Sequence, residues 1–186
     1  MKALLSLTLI ASFLVSCNNS SPLPPVTTVK DFDLNRYDGE WHEISRLPNT
    51  FEKGIVAAKA TYGVGLAGPV SILNEGLKEN GETTAITGHA TIVSDGKLKV
   101  RFDPFPANLF PGNYWVLWVN KSYTRAIVGS PNRKYLWLLA KDLKDQASDF
   151  TEPLEYIKTQ GFNIENLYHN PKRLPPAKNL SYLASR

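Results

Sequence analysis

The stretch Ser94-Asp95-Gly96-Lys97-Leu98-Lys99-Val100-Arg101-Phe102 constrains the fold more than any other part of the chain. An Asp-Gly turn leads into strict alternation of basic and apolar residues. A period of two puts Leu98, Val100 and Phe102 on one face and Lys97, Lys99 and Arg101 on the other. One face is therefore buried and the other wet, as in an antiparallel sheet. Short segments of the same kind lie at 56–64, 69–77 and 83–93 before it and at 113–120, 124–130 and 135–141 after it, with an opening strand inside 36–46. Turn residues such as Asn80-Gly81 separate them, and no helix intervenes. This spacing predicts an all-β fold, an eight-stranded antiparallel up-and-down barrel wide enough inside for one small ligand.

In the opening strand, Asp38-Gly39 supplies turn chemistry, and the alternation that follows places Trp41, Glu43 and Ser45 on the inward face. Trp41 then plugs one end of the barrel. Strand parity adds Ala60, Tyr62, Leu98, Val100, Phe102, Tyr114, Val116, Trp118, Ala126, Val128, Trp137 and Leu139 to the interior. Residues 47–54 read as a loop over the mouth. Beyond the barrel, Asp149-Phe150-Thr151-Glu152 resembles a helix capping box, and Phe150, Leu154 and Ile157 repeat at helical spacing until Gly161. One apolar stripe predicts a single C-terminal helix packed on the barrel's outside. A ninth short strand is expected at 166–170. Gly63-Val64-Gly65-Leu66-Ala67-Gly68 spells a dinucleotide fingerprint, but Pro69-Val70-Ser71-Ile72-Leu73 continues it as a strand, where a pyrophosphate needs a helix N-terminus.

The N-terminus reads as an export signal. Lys2 is followed by an apolar run from 3 to 13, too short to span a bilayer comfortably, and Leu14-Val15-Ser16-Cys17 places the chain's only cysteine where a lipoprotein lipobox would put it. The expectation is a signal peptide over 1–16 and acylation at Cys17. Asn18 after the cysteine fits sorting to the cell outer membrane, anchored by lipid and facing the periplasm. Residues 17–30, rich in Pro and polar groups, then read as an extended tether, and 31–170 as the folded domain. The basic, Pro-containing segment 171–186 reads as a tail.

Other classes fit poorly. The formal charge is only +4, with no dense Lys/Arg block in the folded part, which argues against nucleic acid as a partner. There is no His-Glu-x-x-His, Gly-x-Ser-x-Gly or Walker loop, and His42, His89 and His169 are scattered. No catalytic group, metal site or cofactor is expected, and the chain is read as a binding protein.

Three stretches carry a resemblance. Gly39-Glu40-Trp41 with His42-Glu43-Ile44, then Tyr123-Thr124-Arg125-Ala126-Ile127-Val128, then 131–141 from Pro131-Asn132-Arg133 to Leu139-Ala140-Lys141, resemble the signatures of the lipocalins in order and separation. The likeness is to their bacterial, apolipoprotein D-like branch and spans roughly 31–170. It implies a lipid or fatty-acid ligand in the barrel, a fatty acid or lysophospholipid stored or transported during envelope maintenance. Glu43, Ser45, Tyr62, Phe102, Tyr114, Val116, Trp118, Trp137 and Leu139 are the expected ligand-binding residues, with Gly39, Trp41 and Lys141 forming the floor. Lys141 stands where most lipocalins have an arginine stacked on the tryptophan. Two readings stay open at Glu43, which meets a ligand headgroup or bonds Tyr62 or Tyr114. The interior itself is a pocket for binding, the pocket of a lipocalin-fold enzyme acting on a lipid, or a barrel filled by its own side chains in a structural envelope protein. Phe105, Leu109 and Phe110 between strands five and six suit a membrane contact, a gate, a homodimer contact or simple self-packing of their loop.

Overall fold

A computed structural model describes residues 23–65, 68–143 and 150–174. The expected signal peptide and acylated Cys17, Leu66 and Ala67 of the glycine-rich turn, Asp149 of the capping box, and 175–186 of the tail lie outside the described residues.

The barrel strands are β1 (Gly39–Arg46), β2 (Ile55–Gly63), β3 (Val70–Lys78), β4 (Thr83–Ser94), β5 (Lys97–Phe102), β6 (Gly112–Val119), β7 (Arg125–Gly129) and β8 (Leu136–Ala140). Each pairs antiparallel with the next, and β1 closes the ring against β8 and β2. Gly39 takes φ 102°, a left-handed conformation that a β-carbon would strain, so the turn into β1 depends on it. The glycine-rich stretch after β2 leads into β3, a strand. One short helix escaped the sequence reading: α1 (Leu34–Tyr37), capped by Asp33 Oδ1, which accepts from the Asn35 and Arg36 amides.

Two layers of apolar side chains result. The inner set packs inside the barrel around Trp41, Tyr37, Tyr62, Val116, Val128 and Leu139. The outer set joins alternate residues of the same strands, Ile44, Leu117, Ile127, Leu136 and Leu138, to Phe150 and Ile157. Helix α2 (Thr151–Thr159) lies on that outer layer and gives way at Gly161, φ 88°. Phe150 stands at its N-cap with no side-chain cap bond.

The described segments on either side of the barrel, 23–30 and 168–174, are both tied to it. β9 (Tyr168–His169) pairs with Arg46 and Ser45 of β1, while β2 pairs only with Gly39 to His42. The C-terminal segment thus enters the seam where β1 and β2 part; the Asn170 amide donates to Ile44 O and the Lys172 amide to Val56 O. Leu174, beyond the expected end of the domain, is buried. At the other terminus, residues 23–30 form a strap against the barrel, where the sequence suggested a free tether. Val26 is buried in the outer layer, the Val29 amide donates to Val116 O at 3.0 Å, and the Thr27 amide donates to Gln160 Oε1 at 2.7 Å. Val26 in the outer layer, Val29 against the inner one and a few backbone bonds outweigh the composition.

Candidate ligand site in the barrel interior

The floor is built on Trp41, which is fully buried and donates from Nε1 to Tyr37 O at 2.8 Å. Tyr37 stacks on it with centroids 4.5 Å apart. Lys141 Nζ lies 5.1 Å from the Trp41 ring centroid and donates to Arg36 O at 2.9 Å and Asp38 O at 2.6 Å. The ammonium thus replaces a planar fork with a cation–π contact and two carbonyl bonds. Partial burial lowers its pKa, and the nearby Asp38 carboxylate opposes that shift. Above the floor, the Tyr114 hydroxyl lies 2.8 Å from those of Tyr37 and Tyr62. Burial holds all three phenols above their ordinary range, so they stay neutral.

The mouth is organised differently. Arg46 Nη1 donates to Glu43 Oε1 and to Asn170 Oδ1, each at 2.7 Å, and Nη2 donates to Ile55 O at 2.8 Å and Glu52 O at 3.1 Å. Its Nε sits 3.5 Å from Glu52 Oε2, which also accepts from Trp137 Nε1 at 3.0 Å. The loop 47–54 is thereby fastened over the opening. Glu43 bonds Arg46 and Asn170, neither of them the tyrosines offered by the sequence. Burial, then the neighbouring Glu52 carboxylate, pushes its pKa up to about 8, so Glu43 holds a proton at neutral pH and leaves Arg46 and Glu52 to balance each other. Arg46, Glu52 and Asn170 were missing from the predicted site. The seam that delivers Asn170 leaves no local mark in the sequence.

Two predicted wall residues sit outside the barrel, and each is displaced by a β-bulge. Glu43 pairs with Leu139 and Ser45 with Leu138, so Ile44 and Ser45 oppose one residue and share the outer face. Ser45 Oγ lies 2.7 Å from His169 Nδ1. Val116 pairs with Val128 and Trp118 with Ile127, so Trp118 turns out onto Phe150, centroids 6.2 Å apart. The inward assignments of Ser45 and Trp118 are corrected accordingly. Parity resumes one residue later, which brings Arg46 and Val119 inside. Glu43, Tyr62, Val116 and Leu139 are interior and buried.

Phe102, Tyr114 and Trp137 are interior yet keep accessible surface. Facing inward on β2 to β4 are Ala58 and Ala60, paired with Gly76 and Asn74, and Gly88, which lies beside Phe102 with that ring against it. Asn74, paired with Ala60 and so on the inward face, has its Oδ1 buried with no hydrogen-bond partner among the described residues. A buried acceptor left open costs free energy unless a donor meets it. Two concavities lie elsewhere. A groove of about 650 Å³ runs outside the barrel between Leu138, Phe150, Leu154 and His169, and one of about 220 Å³ lies at the mouth by Arg46, Glu52 and Tyr168.

A closed eight-stranded antiparallel barrel with an aromatic floor and one outer helix defines the class of the fold. Residues 32–172 match the model of the lipocalin-like domain. The chain belongs to the lipocalin family. It is 36% identical over 169 residues to outer membrane lipoprotein Blc of Vibrio cholerae, covering 86% of this chain and 96% of that one. Temperature-induced lipocalin-1 of Arabidopsis thaliana is 34% identical over 160 residues, 81% of this chain and 86% of its own. Among solved structures, insecticyanin from Manduca sexta superposes with a TM-score of 0.65 at 23% identity, covering 81% of this chain and 86% of that one.

Proposed function

We propose that this lipocalin is an outer-membrane lipoprotein that binds a fatty acid or lysophospholipid in its barrel and stores or carries it during envelope maintenance. The observation that carries the reading is the inward face of the barrel, where Phe102, Tyr114 and Trp137 keep accessible surface and β2 and β3 present the small residues Ala58, Ala60 and Gly76. Apolar chains gain about 25 cal/mol per Å² on leaving water, so a dozen methylenes against these rings supply several kcal/mol after ordering costs. Asn74 Oδ1 offers an acceptor to a ligand hydroxyl. The similarity to outer membrane lipoprotein Blc supports the location, and apolipoprotein D of Macaca fascicularis is 34% identical over 138 residues. Acylation at Cys17 would supply the anchor, and the chemistry required is binding, with no group assigned to catalysis.

The test is titration of the purified protein with palmitate and with lysophosphatidylethanolamine, read by tryptophan fluorescence, in the native chain and in Ala60→Phe. The native signal should saturate. A phenyl ring at 60, an inward-facing position of β2, should obstruct the interior and weaken binding at least tenfold. Saturation unaltered in the variant would show that the ligand lies elsewhere, the outer groove included.

A further inference from the structure

The groove outside the barrel has a volume of about 650 Å³, within the range of about 300–1,000 Å³ that small-molecule sites occupy. Its floor is apolar and comes from three elements: Ile44 of β1, Leu138 of β8, and Phe150 and Leu154 at the start of α2. Leu143 stands at its edge, 38% exposed. The bulge in β1 contributes to this face, because Ile44 and Ser45 both turn outward there.

The rest of the lining is polar and belongs to the C-terminal segment, which supplies His169, Asn170, Lys172 and Arg173. Its charge has one sign. No acidic side chain lines the groove among the described residues, and Lys172 makes no ion pair among them. Ser45, itself buried, holds His169 by Nδ1, and the ring's Nε2 has no partner among the described residues. This wall is fixed in place. Buried Asn170 accepts from Arg46 Nη1 and donates to Glu43 Oε1 at 2.9 Å, and the Lys172 amide donates to Val56 O at 3.2 Å. The cations therefore stand beside the apolar floor before any ligand arrives.

We propose that the groove is a second binding site, separate from the barrel interior, for a single-chain amphiphile with an anionic head, of which a fatty acid is the simplest case. Its acyl chain lies over Ile44, Leu138, Phe150 and Leu154, and its carboxylate meets Lys172 and His169 Nε2 with the Arg173 guanidinium beside them. A neutral head of the same size loses the charge-assisted contacts, so the wall selects for charge. Open to water along one side, the groove encloses less of a chain than a barrel interior does. It fills at higher ligand concentration and empties on dilution. The assignment stands on the groove's own residues and does not depend on what fills the interior.

The experiment photolyses the full chain with a palmitate analogue that carries a mid-chain diazirine and a free carboxylate, and reads the labelled peptides by mass spectrometry. Peptides of α2 and of 169–173 report the groove, and the 97–102 peptide reports the interior. Label should appear on the groove peptides of the native chain and persist in Ala60→Phe. Lys172→Glu, at an exposed position, should reduce groove label about fivefold or more and leave interior label unchanged. The matching alcohol, with the same chain and no charge, should label the groove about fivefold less than the acid. Interior label without groove label overturns the second site and spares the barrel reading. Groove label without interior label supports the second site and faults the barrel reading alone. Equal groove labelling by acid and alcohol, or label indifferent to Lys172→Glu, overturns the anionic head. Groove label that vanishes as the chain dimerises at higher protein concentration would give this face to a second copy, and overturns the proposal as well.

Discussion

The two ends of the barrel solve opposite problems. At the floor, Trp41, Tyr37 and the Lys141 ammonium pack ring on ring and close on backbone carbonyls, with little charge buried. At the mouth, Arg46, Glu43, Glu52 and Asn170 form a buried polar cluster in which every bond depends on the others. The contrast teaches that the floor supplies stability without restricting what enters, whereas the mouth gives up stability to keep one end fastened, polar and responsive. Substitutions at the floor should lower the unfolding midpoint and leave affinity alone among molecules that remain folded. Substitutions at the mouth should change affinity or pH dependence.

The largest effect is expected from Trp41→Ala, which empties a fully buried site and should cost about 3–5 kcal/mol in chemical denaturation. Ligand affinity of the folded fraction should stay within a few-fold of native; a specific loss of binding would blur the division between the ends. Arg46→Met comes next. It strands Glu52 and Glu43 together, and breaking a buried pair on one side costs about 3 kcal/mol, together with loosening of the 47–54 loop seen as faster amide exchange there. Adding Glu52→Gln should recover much of that loss, since it removes the abandoned charge.

Glu43 sharpens the comparison through pH. Its pKa is about 8 in the folded chain against an ordinary 4.5, so between those values the folded state holds a proton that the unfolded state has released. Its contribution to stability is full below the ordinary value and is lost as pH rises through about 8. Denaturation midpoints of Glu43→Gln should show a shallower decline over that window than the native chain, and parallel curves would mean that Glu43 is ionised throughout. The smallest effect belongs to Lys141→Ala, about 1 kcal/mol, because the ammonium is partly solvated and its contact with Trp41 is one of several holding the ring. An unchanged midpoint would remove the lysine from the floor.

Much of the barrel was legible because alternation and turn chemistry are local. The Lys97 to Phe102 strand, the Gly39 turn and the apolar stripe of α2 each follow from residues within a few positions of one another. What was not legible is where a strand breaks its own period. The bulges that turn Ser45 and Trp118 outward are defined by two residues opposing one on a partner strand, and neither contains a Gly or Pro to mark it. The strap was hidden for a related reason. Pro22, Pro24 and Pro25 suggest a free chain, whereas Val26 and Val29 find partners on β6 and the outer layer that only the closed barrel provides. Asn170 reaches Glu43 across 127 positions, a contact that no window on the sequence contains.

The central claim is that the interior holds a lipid, and native mass spectrometry of the protein released gently from its own envelope tests it most directly. The account predicts one amphiphile per barrel, identified by its mass, retained in Lys141→Ala and absent from Ala60→Phe. A native chain that is empty as isolated, and whose tryptophan fluorescence does not respond to added fatty acid or lysophospholipid, would contradict it and leave a barrel filled by its own side chains.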